Sequence, residues 1–350
     1  MPRLAVLRST HPTGAHAVVR SKPSSGPGPA RTFDVAPWPD TGGAPHRRPI
    51  GDTSLYVYPL ALGCASLGAS LDDQSSRRVL DIHRERGGNL LDTADSYADG
   101  RSEAIIGSWL RTRGSRDDTV IATKIGLNRD YPGLSPRSII GAVDGSLQRL
   151  GTDHIDLLYF HVDDPDVPLE ESLGTVANLV AKGKVRHLGA SDFSADRLIE
   201  ARVLAANDLP RFVALQTPVN LVNRRRFESS LSVVAQAQGL GVFPLSALAD
   251  GFLAGQHGVH PVGAGAPGAR RLRHHPSRKN LRVLAVADRI AAEHGVPVAT
   301  ICLAWLLARN GVIAPVAEAD HPDQVEALVS AAAIHLGRSD LVELDRASAS

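Results

Sequence analysis

The sequence is poor in the residues that staple, anchor or electrostatically polarise a protein. It has two cysteines, one methionine and 4% aromatic residues in 350. Cys64 and Cys302 stand far apart and match no ligand spacing such as CxxC. That excludes a disulfide framework or a cysteine-based metal site, and it fits a reducing, cytoplasmic setting. Long apolar runs are also missing, since stretches such as Ile301–Ala308 fall well short of the roughly 20 residues that span a bilayer. No sign of charge dominates: 38 Lys and Arg face 37 Asp and Glu. Composition therefore offers no footprint for nucleic acid or for an anionic membrane, and a small molecule is the expected partner.

What is present suffices for a large core. With 43% apolar and 21% charged residues over this length, one large catalytic domain is expected, and a single α/β barrel commonly fills such a chain. Residues 1–45 stand apart. They are rich in Pro, Gly, Ser and Arg, carry no acid before Asp34 and show no sustained periodicity, so they read as a mobile extension to a domain over 46–350. A targeting peptide is the alternative for this segment, but no continuous apolar stretch of signal-peptide type supports it.

From Leu55 onward, short β-type apolar runs alternate with segments of helical period, the pattern of repeated βα units on a parallel sheet. The predicted strands are Val57–Leu62, Asn89–Asp92, Val120–Lys124, Ile155–His161, His187–Ser191, Val213–Gln216, Gly241–Leu245 and Gly311–Val316. Eight is the number of a (β/α)8 barrel. A doubly wound open sheet remains as the alternative, without a glycine fingerprint leading from a strand into a helix to favour it. Among the helices, one is predicted from Ser135-Pro136, as cap and first turn, to Gly151, with Ile139, Val143, Leu147 and Leu150 on one face. The Gly263–Gly268 stretch, followed by Arg270, Arg271, Arg273, His274 and His275, reads as a flexible loop that could fold over a ligand.

Polar residues gather at the C-terminal ends of the predicted strands, where barrel enzymes keep their chemistry. Asp92, Lys124, His161, Ser191-Asp192 and Gln216 each end one, and Ser246 follows another. Neighbouring strands lie about 4.8 Å apart, so Asp92, Lys124 and His161 can converge on one volume, and Tyr97 can reach it from the following loop. A phenol, an ammonium, a carboxylate and an imidazole around one point form a tuned proton donor. Lys124 is expected to lower the pKa of Tyr97 from near 10, Asp92 to hold Lys124 charged, and His161 to position a substrate oxygen. Taken singly, each of these has a structural reading, as a barrel ion pair or a satisfied core histidine. Four ionisable groups at one rim favour function, because burying them is costly.

These residues carry a family resemblance. Pro59-Leu-Ala-Leu-Gly63, Asn89-Leu-Leu-Asp-Thr-Ala-Asp-Ser-Tyr97, Gly100-Arg-Ser-Glu103, Ala122-Thr-Lys124, Leu150-Gly-Thr-Asp-His-Ile-Asp-Leu157 running on to His161, Gly183-Lys-Val-Arg186 and Gly189-Ala-Ser-Asp192 together resemble the aldo-keto reductases, from Arg47 to the C-terminus. The resemblance implies a barrel that binds NAD(P)H without a Rossmann domain, with Tyr97 as general acid, His161 orienting the carbonyl, and Lys124 and Asp92 tuning Tyr97. It also implies cofactor contacts from Gly63 and Cys64, from Ser191, Asp192 and Gln216 at the nicotinamide, from Ser246, Leu248, Gly251 and Leu253 at the pyrophosphate, and from Asp320 and Gln324 at the adenosine end. The chain departs from the family in two places, at Asp192 and between Pro315 and Leu328. Asp192 stands where Asn is usual and can accept from a carboxamide but not donate to it. Glu318 and Asp320 stand where Gly and a basic or hydroxyl residue are usual, and Leu328 replaces Asn. An acid facing a 2′-phosphate favours NADH over NADPH, unless the arginines at 270, 271 and 273 supply the missing charge.

The implied reaction is reduction of a small aldehyde, ketone or sugar-like carbonyl, or its reverse. Changed chemistry on the same barrel, such as dehydration or epimerisation, is one alternative, and a non-catalytic nucleotide-sensing scaffold is another. Substrate choice is expected to lie in residues 126–135, in 218–227 and in the last dozen, with Tyr131 and Phe227 either lining the pocket or capping the rim.

Overall fold

The computed structural model describes residues 46–255 and 277–349. The 1–45 segment and the glycine-rich stretch 263–268 with the basic run 270–275 lie outside the described residues.

A short hairpin comes first, β1 (Arg48–Pro49) against β2 (Tyr56–Val57). Eight parallel strands follow: β3 (Ala61–Gly63), β4 (Leu90–Asp92), β5 (Val120–Ile125), β6 (Ile155–Phe160), β7 (Val185–Ser191), β8 (Phe212–Pro218), β9 (Gly241–Leu245) and β10 (Val316–Glu318). Each lies beside its chain neighbour and β10 returns to β3. The remaining seam is closed just before β10, where the Val242 N–H donates to the Gly311 carbonyl and the Ile313 N–H to that of Val242, both at 2.9 Å. The result is the (β/α)8 barrel that the strand count predicts.

Among the described residues ten helices lie between and after the strands: α1 (Asp73–Glu85), α2 (Arg101–Arg113), α3 (Pro136–Leu150), α4 (Leu169–Ala181), α5 (Ala195–Leu204), α6 (Ser232–Ala237), α7 (Arg278–His294), α8 (Val298–Leu307), α9 (Pro322–Ser330) and α10 (Arg338–Ser348). Helix α3 starts and stops where its signals put it. The Ser135 hydroxyl accepts from the Ser138 N–H, Pro136 opens the first turn, and Gly151 ends the helix at φ 63°. That left-handed turn strains any residue with a Cβ. Ile139, Val143 and Leu150 are buried as expected, with Leu147 partly so. No single helix among the described residues is long and apolar enough to cross a membrane.

Two predicted strands are corrected, both at prolines. Val57 belongs to the hairpin, and the barrel strand starts only at Ala61, past Pro59. The last strand starts at Val316, past Pro315, whose carbonyl accepts from the Ala61 N–H at 3.0 Å. Proline has no N–H to give a ladder, so each apolar run is split into two pieces with different partners. The hairpin has a use: Ile50, Leu55 and Val57 share one core cluster with Leu90, Val120, Ala122, Leu157, Val213 and Phe243 of the strands, plugging the end where the strands begin.

At this end the buried Asp156, second residue of β6, accepts from Arg116 at 2.8 Å, from Arg186 at 2.8 Å and from the Ile121 N–H at 3.0 Å. It ties β5, β6 and β7 together far from the opposite rim. Asp156→Ala leaves two guanidinium groups and an N–H without their acceptor and is expected to cost about 3 kcal/mol of stability. Urea unfolding should show that loss, while turnover below the unfolding temperature stays near wild type.

Candidate active site

The chemistry-bearing residues stand at the other end of the barrel, where β3 to β10 finish. Asp92 ends β4, Lys124 is the fifth residue of β5, and His161 directly follows β6. Tyr97 opens a single tight turn, Tyr97–Gly100, between β4 and α2. Asp92 and Lys124 are buried, at 2% and 0% exposure, whereas Tyr97 and His161 are half-buried and open toward the rim.

The Lys124 ammonium organises the group. Its Nζ donates to Asp92 Oδ1 at 2.5 Å, to the Thr93 carbonyl at 3.0 Å and to the Tyr97 hydroxyl oxygen at 3.3 Å. An ammonium has three protons and no acceptor, so all three are engaged. Tyr97 therefore receives a hydrogen bond from Lys124, and its own proton must point elsewhere. The His161 ring stands edge-on to Tyr97, with centroids 6.0 Å apart and planes at 82°.

Burial sets the protonation states. It pushes the Tyr97 phenol up to about 12, against the pull of Lys124 and with a further push from Asp92 and Glu318. The lowered value expected from the sequence is thus reversed, because desolvation of the phenolate outweighs the ammonium. Tyr97 is fully protonated at neutral pH. Burial also pushes the Lys124 amine down, but Asp92 and Tyr97 more than reverse this and keep it charged. Burial, then Lys124, push His161 down to about 3. It is a neutral imidazole with one N–H to donate, and its Nδ1 is buried without a hydrogen-bond partner.

Gln216 on β8 joins this cluster from across the barrel. Its Nε2 donates to Asp92 Oδ2, while its Oε1 is buried without a partner. Asp92 is thereby held on both oxygens, by Lys124 and Gln216. Sequence reading missed that bond, because β4 and β8 are not neighbours and no local pattern links them. Ser191 is buried at the end of β7, and Asp192 follows at φ 56°, its N–H donating to the Gln216 carbonyl at 3.0 Å. The Asp192 carboxylate does not turn into the barrel but meets Arg226 at 2.5 Å. Arg226 belongs to the segment 218–227, and three consecutive arginines, 224 to 226, were the available signal for such a contact. Arg224 fixes the same segment from behind, reaching Asp345 at 3.0 Å, Ser348 at 2.6 Å and the face of Trp305.

The remaining expected contacts line the rim. Gly63 ends β3 against the Glu318 side chain, and Cys64 follows fully buried, its thiol pushed up by burial, which leaves it unreactive. Ser246, Ala249, Asp250 and Gly251 all take left-handed backbone angles after β9, and the Ala249 N–H donates back to the Ser246 carbonyl at 2.8 Å. Leu248 is partly buried and Leu253 fully so. Gln324 is turned back to accept from the Asp320 N–H at 2.8 Å. Beside them Glu318 is exposed, its carboxyl raised by the protein atoms around it and then by Asp320, against the pull of Lys124 and with Asp92 and Asp250 adding to it. Of the two aromatics read as lining the pocket or capping the rim, the Tyr131 ring lies on Gly141 of α3, and Phe227 is buried in the core. Among the described residues no group of His, Cys, Asp and Glu is arranged to hold a metal ion.

Comparison with known proteins finds matches along the whole barrel. A model of the Aldo/keto reductase family matches residues 59–349. Norsolorinic acid reductase B of Aspergillus parasiticus is 31% identical, covering 82% of this chain and 79% of its own. Aldo-keto reductase AFTS1 of Alternaria alternata is 31% identical over 83% of this chain and 88% of its own. A probable voltage-gated potassium channel subunit beta of Oryza sativa is 30% identical over 79% of this chain and 88% of its own.

Because folding depresses the His161 pKa from about 6.5 to about 3, the unfolded chain takes up a proton that the native state refuses. Stability from this group is complete above pH 6.5 and falls as the pH drops toward 3, by at most about 1.4 kcal/mol per pH unit. His161→Gln removes that loss, so its urea midpoint is expected to fall less than that of wild type between pH 6.5 and 4.

Proposed function

The chain belongs to the aldo/keto reductase family, and on that premise we propose that it reduces a small aldehyde or ketone, or oxidises the corresponding alcohol, with Tyr97 as the proton donor. Relatives named as reductases support an oxidoreductase. The observation that carries the finer reading is the direction of the hydrogen bond between Lys124 and Tyr97.

The residues at the rim fit a nicotinamide dinucleotide. The unpartnered, buried Gln216 Oε1 is an acceptor waiting for a donor such as a carboxamide NH₂, and the left-handed residues Ser246 and Ala249 to Gly251 form a tightly turned segment that suits a pyrophosphate. Bound NAD(P)H supplies the hydride. The protein supplies the proton and the positioning. Lys124 occupies one side of the Tyr97 oxygen, which leaves the phenolic proton to face a substrate oxygen. The neutral His161 donates its one N–H to that oxygen and fixes it. As negative charge develops there, Tyr97 transfers its proton, and Lys124 stabilises the phenolate that remains. Asp92, held by Gln216, keeps Lys124 charged and aimed.

NADH is the preferred cofactor in this reading. Glu318 ends β10 and Asp320 follows two residues on, and acids at these positions would repel a 2′-phosphate. One relative is named a probable channel subunit, which makes association with a partner the second reading. The ordered hydrogen bonds of four site side chains favour chemistry. A dehydratase or epimerase would return its nicotinamide unchanged, and so would consume no reduced cofactor over many turnovers.

The test is a panel of aldehydes and ketones with NADH or NADPH. Reduced cofactor should be oxidised one-for-one with carbonyl consumed, NADH should bind more tightly than NADPH, and Asp320→Arg should narrow that gap by tenfold or more. Product formation without net cofactor oxidation, or nucleotide binding that is absent, would reject the reading.

A further inference from the structure

Two residues before Tyr97 lies a carboxyl group that the proposed chemistry does not use. Asp95 has 0% exposure, and neither of its side-chain oxygens has a hydrogen-bond partner. The Ser96 N–H is near enough to favour a charge there without making a formed hydrogen bond. An ionised carboxylate in such a place would keep the whole desolvation cost of its charge.

Burial opposes its ionisation most and Glu103 adds to that, while Arg149 and Lys124 pull the other way without reversing it. Glu103 of α2 is also buried at 0%, and it is already satisfied, by the Thr123 hydroxyl at 2.6 Å and by Arg149 of α3 at 2.8 Å. The nearby cations are both committed, Arg149 to Glu103 and Lys124 of β5 to Asp92. A negative Asp95 would compete for each of them.

Both cations support the turn that carries Tyr97. Ala98, Asp99 and Gly100 take φ of 50°, 52° and 85°, so two residues with side chains are held in a strained left-handed form that persists only under outside restraint. Two contacts supply the restraint. The Arg149 side chain passes so close to Gly100 that a Cβ there would lie 2.7 Å from Arg149 Cδ, and the Asp95 N–H donates to the Lys124 carbonyl at 3.0 Å.

We propose that Asp95 is a positioning residue for Tyr97, kept as an uncharged carboxylic acid beneath the Tyr97–Gly100 turn, and that loss of its proton to solvent releases the turn and misaligns Tyr97 with Lys124. This rests on the reading of Tyr97 as the acid. Burial, reinforced by Glu103, raises the Asp95 carboxyl to about 8, within the range where an enzyme can be assayed.

Two measurements on the full chain test it. The first is kcat/KM for carbonyl reduction from pH 6 to 10, each protein scaled to its own neutral plateau. Wild type should lose activity above about pH 8, Asp95→Asn should extend the plateau by at least one unit, and Glu103→Gln, which frees Arg149 for a charged Asp95, should move the fall to lower pH. The second is thermal unfolding, which needs no turnover. With a folded pKa raised from about 4, the native state holds a proton that the unfolded chain has released. Stability from this group therefore declines from pH 4 to 8, and the Tm advantage of Asp95→Asn over wild type should widen from pH 5 to pH 8. A constant Tm gap would show that Asp95 holds no proton, and a widening gap with superimposable activity profiles would show that its proton does not govern Tyr97. Either result overturns the proposal. Full activity of Tyr97→Phe would instead defeat the reading beneath it and leave the thermal result standing.

Discussion

A lysine ammonium without solvent contact has to be matched proton for proton, or its charge cannot be kept. Lys124 meets that demand with a carboxylate, a backbone carbonyl and a phenol oxygen, each presented by a different part of the chain. The carboxylate comes from the end of β4, the carbonyl from the residue after it, and the phenol from a strained turn five residues on. Once these three are fixed, so is the direction in which Tyr97 can give up its proton. Gln216 extends the constraint across the barrel to β8 through the second Asp92 oxygen, so that neighbouring and non-neighbouring strands alike must be in register for the charge to be satisfied. Such a network is strong when complete and costly when broken.

The barrel separates its tasks by end. Where the strands begin, the hairpin plug and the Asp156 ion pairs hold strands together without approaching the rim. Where they finish, polar side chains are packed into a space that a stability-driven core would fill with carbon. Asp95, Gln216 and His161 each keep a buried polar atom without a hydrogen-bond partner there. Native proteins leave few such atoms, and those they leave tend to have a use.

The sequence made the parallel barrel legible because both faces of its strands are buried, which leaves continuous apolar runs with a polar residue at each end. Its errors came at Pro59 and Pro315, where one apolar run serves two elements and only the missing N–H marks the break. The convergence of Asp92 and Lys124 could be read from strand ends, and that of Tyr97 from its place in the loop that follows Asp92. The Gln216 bond to Asp92 and the turning of Asp192 toward Arg226 could not, since both depend on side chains meeting across long stretches of chain. Protonation was harder still. Charge pairing is visible in a sequence, but the depth at which a pair sits is not, and depth is what raised the Tyr97 phenol where the neighbouring ammonium alone would have lowered it.

Proton delivery by Tyr97 is the centre of the whole argument, and single-turnover hydride transfer to a carbonyl substrate in Tyr97→Phe addresses it most directly. Removal of one hydroxyl oxygen should slow the transfer by about 10²–10⁴-fold while the Kd for the nicotinamide cofactor stays at the wild-type value. Transfer at the wild-type rate in Tyr97→Phe would contradict it, and the proton would then have to come from another group at the rim.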